Sequence, residues 1–154
     1  MLHPIAIWEG KMASNNLRGR FPAWPALLFL LWNLIGCAMF AMQSTQDLDA
    51  LAATDPLQAQ IWRAMPGWAW IAYLVAVAAG TLGALALLLR RRIAVPLALL
   101  CVIAVLVQFG YTVLLTDLLA LRGAGTLILP AFIIAIAIVQ WLYARALAGR
   151  GALH

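Results

Sequence analysis

Ionisable side chains are scarce in this chain, and entirely missing from most of it. Lysine and glutamate occur once each, at Lys11 and Glu9, and histidine only at His3 and His154. Residues 21–46, 64–89, 93–116 and 123–144 contain no Asp, Glu, Lys, Arg or His. Proton relays, ion-coupled pumps and voltage sensors place such groups inside the membrane, so these functions are excluded. No imidazole is available within the runs for haem or a metal, and HExxH, CxxC and phosphate-loop motifs are absent throughout. A nucleophile paired with a base does not occur there either. The chain therefore reads as a protein without catalytic activity, metal or cofactor.

Cysteine is nearly as scarce. Cys37 and Cys101 both fall inside apolar runs. Counted from the basic ends of their runs they differ in level by roughly 6 Å, at about 1.5 Å per helical residue, which does not favour a disulfide. Both read as unpaired thiols packing as small apolar groups. The net charge of +5 and pI near 10.0 do not indicate nucleic acid, because the basic residues flank apolar runs and form no stripe with aromatics.

What is present is hydrocarbon. The chain is 66% hydrophobic and 10% charged, with a mean hydropathy of +0.99. Each of the four runs is long enough, as a helix, to cross a hydrocarbon core of about 30 Å. The expected fold is all-α, an integral membrane four-helix bundle with up-down topology. The expected organisation is a tail over 1–22, one membrane domain over 23–147 with spans at about 24–43, 67–89, 93–115 and 127–144, and a tail over 148–154. Met12-Ala13-Ser14-Asn15-Asn16 reads as a second possible chain start.

Arg18 and Arg20 before an apolar run, and Leu34-Ile35-Gly36-Cys37 within it, resemble a signal sequence with a processing box. Apolar sequence continues through Met42, however, which favours an uncut span. Residues 44–66 form the longest connection and carry Asp47, Asp49 and Asp55 against Arg63. Asp55-Pro56 reads as N-cap and first residue of a short amphipathic helix with Leu57, Ile61 and Met65 on one stripe. Trp68, Trp70 and Tyr73 open the second span as an interfacial belt. Ala76, Gly80 and Ala84, with Ala79 and Gly83, let another helix approach closely, either within the chain or in a dimer.

Basic residues set the orientation. Lys11, Arg18, Arg20, Arg90, Arg91, Arg92, Arg145 and Arg150 lie on one side, and Arg63 and Arg122 on the other with most of the acids. The positive-inside rule predicts both termini in the cytoplasm and the amphipathic helix on the periplasmic side. The Arg90–Arg92 triplet can also meet anionic lipid headgroups. Gln46-Asp47-Leu48-Asp49-Ala50-Leu51 faintly echoes Thr116-Asp117-Leu118-Leu119-Ala120-Leu121, as in a parallel hairpin repeat.

The chemistry left to the spans is neutral. Counting depth along each helix gives an inner polar layer of Asn33, Thr81 and Gln140 and an outer one of Gln43, Tyr73, Gln108, Tyr111 and Thr112. An amide facing lipid leaves its donors and acceptors unpaired at a cost of several kcal/mol, so these groups should face the bundle. They serve either as polar glue between helices or as the lining of a cavity for a neutral polar ligand such as a sugar or a lipid headgroup. The candidate ligand-binding residues are Trp32, Asn33, Thr81, Gln108, Tyr111 and Gln140, with Trp32 offering a ring for stacking.

Leu31-Trp32-Asn33-Leu34-Ile35-Gly36, Met65-Pro66-Gly67-Trp68, Gly80-Thr81-Leu82-Gly83 and Val107-Gln108-Phe109-Gly110-Tyr111 resemble a group of small four-span bacterial membrane proteins. The likeness covers about residues 24–115. Members are often labelled sugar transporters. The resemblance implies a bacterial inner-membrane protein, and it singles out Trp32, Asn33, Gly36, Pro66, Trp68 and Gln108. Two functions are then expected: binding or transport of a neutral polar solute, or an accessory or structural role beside itself or a larger membrane partner. The bilayer is the expected environment, and a transporter of four spans would need a homo-oligomer or larger assembly.

Overall fold

The computed structural model describes residues 22–114, 120 and 123–154. Lys11, Arg18 and Arg20, the start at Met12, Asp117 and Arg122, and the second copy of the hairpin echo except Ala120 lie outside the described residues. The described chain is helical without strands, and four of its helices are long and apolar enough to cross a membrane. It is an all-α membrane helical bundle.

The first spanning helix, α1 (Trp24–Ser44), has Pro25 in its first turn, where a missing N–H costs no helical bond. It ends where the Thr45 hydroxyl donates to the Ala41 carbonyl at 2.8 Å. Two short helices follow, α2 (Leu48–Thr54) and α3 (Pro56–Ala64). Each starts on an aspartate. Asp47 accepts from the Asp49 and Ala50 amides, and Asp55 from the Gln58 amide at 3.0 Å. The expected helix from Asp55-Pro56 is thus accompanied by a second one. Ala59 is the buried residue of α3, and Leu57, Ile61 and Met65 are half-buried. An Arg63–Asp49 ion pair joins α2 to α3, but both side chains are well exposed and the pair adds little.

Next come α4 (Gly67–Leu88) and α5 (Ala94–Leu114), then a 3-10 turn (Ala124–Leu127) leading into α6 (Ile128–Gly149). Helix α4 packs on both α1 and α5, and α5 on α6. The close fit comes from small residues: Ala76, Ala79, Gly80, Gly83 and Ala84 are all buried, so this face of α4 is used inside the chain. Leucines, isoleucines and methionines such as Leu31, Ile71, Leu82 and Ile103 face outward, as lipid-facing positions do.

Helices α4 and α6 end in the same way and at the same end of the bundle. Arg91 N–H donates to the Ala86 carbonyl and Arg90 N–H to Leu87. Ala152 N–H donates to Leu147 and Gly151 N–H to Ala148. Both are Schellman caps with one residue in the left-handed region, Gly151 at φ 68° and Arg90 at φ 54°. Glycine adopts this conformation freely, whereas an L side chain pays roughly 1–2 kcal/mol. The chain after α6 then docks. His154 N–H donates to the Arg90 carbonyl at 2.8 Å, and Arg92 N–H to the His154 carbonyl at 3.1 Å. Leu153 is only 1% exposed and packs among Leu87, Ala94, Ala144 and Leu147. The segment after α6, expected as a tail, closes this end of the bundle.

Candidate functional site

Helices α1 and α6 meet through side chains, from Phe132 near the start of α6 to Tyr143 toward its arginine-bearing end. Phe29 packs against Tyr143 with ring centroids 5.8 Å apart, and Trp32 against Phe132 at 5.5 Å. Between these pairs the amides connect. Asn33 Nδ2 donates to the Phe29 carbonyl at 2.7 Å and to Gln140 Oε1 at 2.9 Å. Gln140 Nε2 donates in turn to the Gly80 carbonyl at 3.0 Å. One chain of hydrogen bonds thus ties α1, α6 and α4 at mid-depth. Both amide nitrogens donate to protein, and both amides are buried.

Glycine is required where this chain crosses α4. A Cβ at Gly80 would lie 1.9 Å from Asn33 Oδ1 and 3.1 Å from Cys101 Sγ. The amide oxygen of Asn33 therefore occupies the place of a side chain.

Above this floor, toward α2 and α3, the four long helices surround a cavity of about 230 Å³. Its walls are apolar, with Val77, Val105, Phe109, Ile133 and Ile136 among them. Gln43 of α1, Tyr73 of α4 and Gln108 of α5 also face it. Among the described residues, the side-chain amides of Gln43 and Gln108 and the Tyr73 hydroxyl make no hydrogen bond. The cavity opens sideways: Ile35, Met39 and Leu129 line it while being 47%, 45% and 63% exposed on the surface that faces lipid. At its outer end Phe40 packs edge-on against Tyr73 at 5.1 Å, and Trp70 lies near Tyr73 and Trp62 of α3 at 6.4 Å each.

Of the candidate ligand-binding residues, Trp32, Asn33, Gln108 and Gln140 line this cavity. Thr81 turns toward α1 instead, donating to the Val77 carbonyl at 2.8 Å with Cys37 Sγ 3.3 Å away. The Tyr111 hydroxyl donates to the Ala64 carbonyl at 3.2 Å, and its ring meets Trp68 at 5.2 Å, so it fastens α3 to α5. The Thr112 hydroxyl donates to the Gln108 carbonyl at 3.2 Å. Residue depth predicts each polar level but not the direction around the helix, which separates Thr81 from Asn33 and Tyr111 from Gln108. Cys101, Val105 and Phe109 were missed as lining, although their spacing from Gln108 puts them on one helical face. Cys37 and Cys101 are both free.

No family model, no curated protein and no solved structure matches this chain.

Proposed function

We propose that this membrane protein binds a small neutral molecule in the cavity between its four long helices, without catalysing its conversion. The observation that carries this reading is the group Gln43, Tyr73 and Gln108: three polar side chains from three helices face one apolar space and spend no hydrogen bond among the described residues. The Asn33–Gln140 pair, by contrast, is spent on helix packing and acts as the floor. At about 230 Å³ the cavity is smaller than the roughly 300–1,000 Å³ of sites for drug-sized ligands. It suits a compact ligand, or one segment of a longer one emerging past Ile35, Met39 and Leu129. Apolar walls with polar groups at one end favour a molecule with an apolar body and one or two hydroxyl, amide or carbonyl groups over a free sugar, which would leave most of its hydroxyls unpaired.

We place the protein in a bacterial inner membrane with both termini inside. Arg90, Arg91, Arg92, Arg145 and Arg150 at one end, and Asp47, Asp49, Asp55 and Arg63 at the other, support that orientation.

Thermal unfolding in lipid nanodiscs tests the binding reading, with a panel of simple sugars and of short-chain neutral amphiphiles such as medium-chain alcohols and amides. Amphiphiles are expected to raise the midpoint at millimolar concentration. Gln108→Ala should weaken that rise while leaving the ligand-free midpoint close to its original value. Asn33→Ala should lower the midpoint by a similar amount with and without ligand. A panel that produces no shift in the natural chain would remove the basis for a binding cavity.

A further inference from the structure

At the end of the bundle where α4 and α6 stop, five arginines gather from two distant stretches. Arg90, Arg91 and Arg92 form the turn into α5, and Arg145 and Arg150 lie at the end of α6; all five are exposed. The backbone exchange between His154 and the Arg90–Arg92 turn holds the two stretches together, and Arg92 Nε adds a third bond, to the Leu153 carbonyl at 3.1 Å. The acidic residues among the described residues, Asp47, Asp49 and Asp55, are all at the opposite end.

Helix dipoles make cations favourable at helix C-termini, which accounts for basic residues here in general. They do not account for the backbone of Arg90. Two caps of one geometry lie side by side, one filled by Gly151 and the other by Arg90. Glycine would fit either without strain, yet one holds a long cationic side chain in the left-handed region. Strain kept where a cheaper residue fits points to a side chain retained for what it contacts. The aromatic residues set the height. The Arg145 guanidinium lies 4.9 Å over the Trp141 ring, and Trp24 and Tyr143 lie on the same half of the bundle. Trp and Tyr sit at headgroup level, so the arginines stand at the level of lipid phosphates.

We propose that this arginine cluster, assembled by the docked C-terminal segment, is a binding site for the phosphate group of an anionic phospholipid. The guanidinium fork matches phosphate oxygens in a bidentate way that a point charge does not.

The test uses the full chain in neutral detergent, titrated with phosphatidylglycerol or with phosphatidylcholine of the same acyl chains, and counts bound lipid by native mass spectrometry. Phosphatidylglycerol is expected to bind about five-fold more tightly or better, with the preference shrinking as salt rises. Arg91→Gln with Arg150→Gln should abolish most of the preference, and Arg63→Gln at the opposite end should leave it intact. Arg90→Gly is the variant that separates a structural from a binding role. It should raise the thermal midpoint in lipid-free detergent by relieving the left-handed strain, and at the same time lower the lipid preference. Where the double variant does not insert, Arg91→Lys with Arg150→Lys keeps the charge and should still lose part of the preference. Equal binding of the two lipids overturns the proposal, as does a preference unchanged in the arginine variants. Displacement of the lipid by millimolar inorganic phosphate would assign the site to a free anion and overturn the lipid assignment.

Discussion

Gly80 and Asn33 act as one unit, because the asparagine amide fills the space beside the glycine backbone. A methyl at position 80 would overlap Asn33 Oδ1, which lies 1.9 Å from the ideal Cβ position. Either the Asn33 side chain or the α1–α4 spacing must give way, and both routes disturb the bond to Gln140. Gly80→Ala is therefore expected to cost about 1–3 kcal/mol, as overpacking of a well-filled interior usually does. Asn33→Ala removes the obstruction but leaves Gln140 Oε1 without its donor, for which interhelical bonds in membranes give about 0.6–2 kcal/mol. The two substitutions should not add: once Asn33 is alanine, Gly80→Ala should cost far less than in the natural chain. Equilibrium unfolding of both single variants and the double variant measures this coupling, and simple additivity would show that the contact carries no strain.

Elements show how much of the fold sequence alone reveals. The four spans are legible because a charge in hydrocarbon is costly, so residues 21–46, 64–89, 93–116 and 123–144 declare themselves by what they lack. The cap at Asp55-Pro56 is legible for a local reason, a side-chain acceptor before a proline. Asp47 caps α2 without a proline after it, and α2 is only seven residues long, so short an apolar segment that it has no clear period. The docked segment after α6 was illegible because nothing local marks it. Leu153 is one leucine among polar and small residues, and its burial depends on the Arg90–Arg92 turn, more than sixty positions away in sequence. That dependence gives a prediction at this scale. Leu153→Ala should lower the thermal midpoint through a loss of about 2 kcal/mol or more, typical of truncating a buried leucine. It should also speed amide exchange at Arg92 and His154, whose N–H groups form the tie. Unchanged exchange there would mean that Leu153 packs without holding the segment.

The candidate site was half legible at the scale of the whole molecule. Trp32, Asn33, Gln108 and Gln140 converge on one cavity, and Thr81 and Tyr111 do not, because counting along a helix fixes height whereas rotation is set by its neighbours. The same arrangement divides the chain into an arginine end and an aspartate end, separated by the length of the spans. Such a molecule should insert in one orientation, and cysteine labelling can read it. In a background with Cys37 and Cys101 replaced by alanine, Thr54→Cys and His154→Cys each place an accessible thiol at one end, both positions being exposed. In intact cells a membrane-impermeant maleimide should label Thr54→Cys and leave His154→Cys unlabelled until the membrane is opened. The reverse pattern would put the arginines outside, against the charge rule that assigns them to the cytoplasm. Equal labelling of both would indicate dual insertion, and the five arginines at one end would then fail to determine topology. The arginine substitutions connect the two questions. Arg91→Gln with Arg150→Gln keeps three of the five arginines at that end, so lipid preference should fall in that variant before the labelling pattern changes.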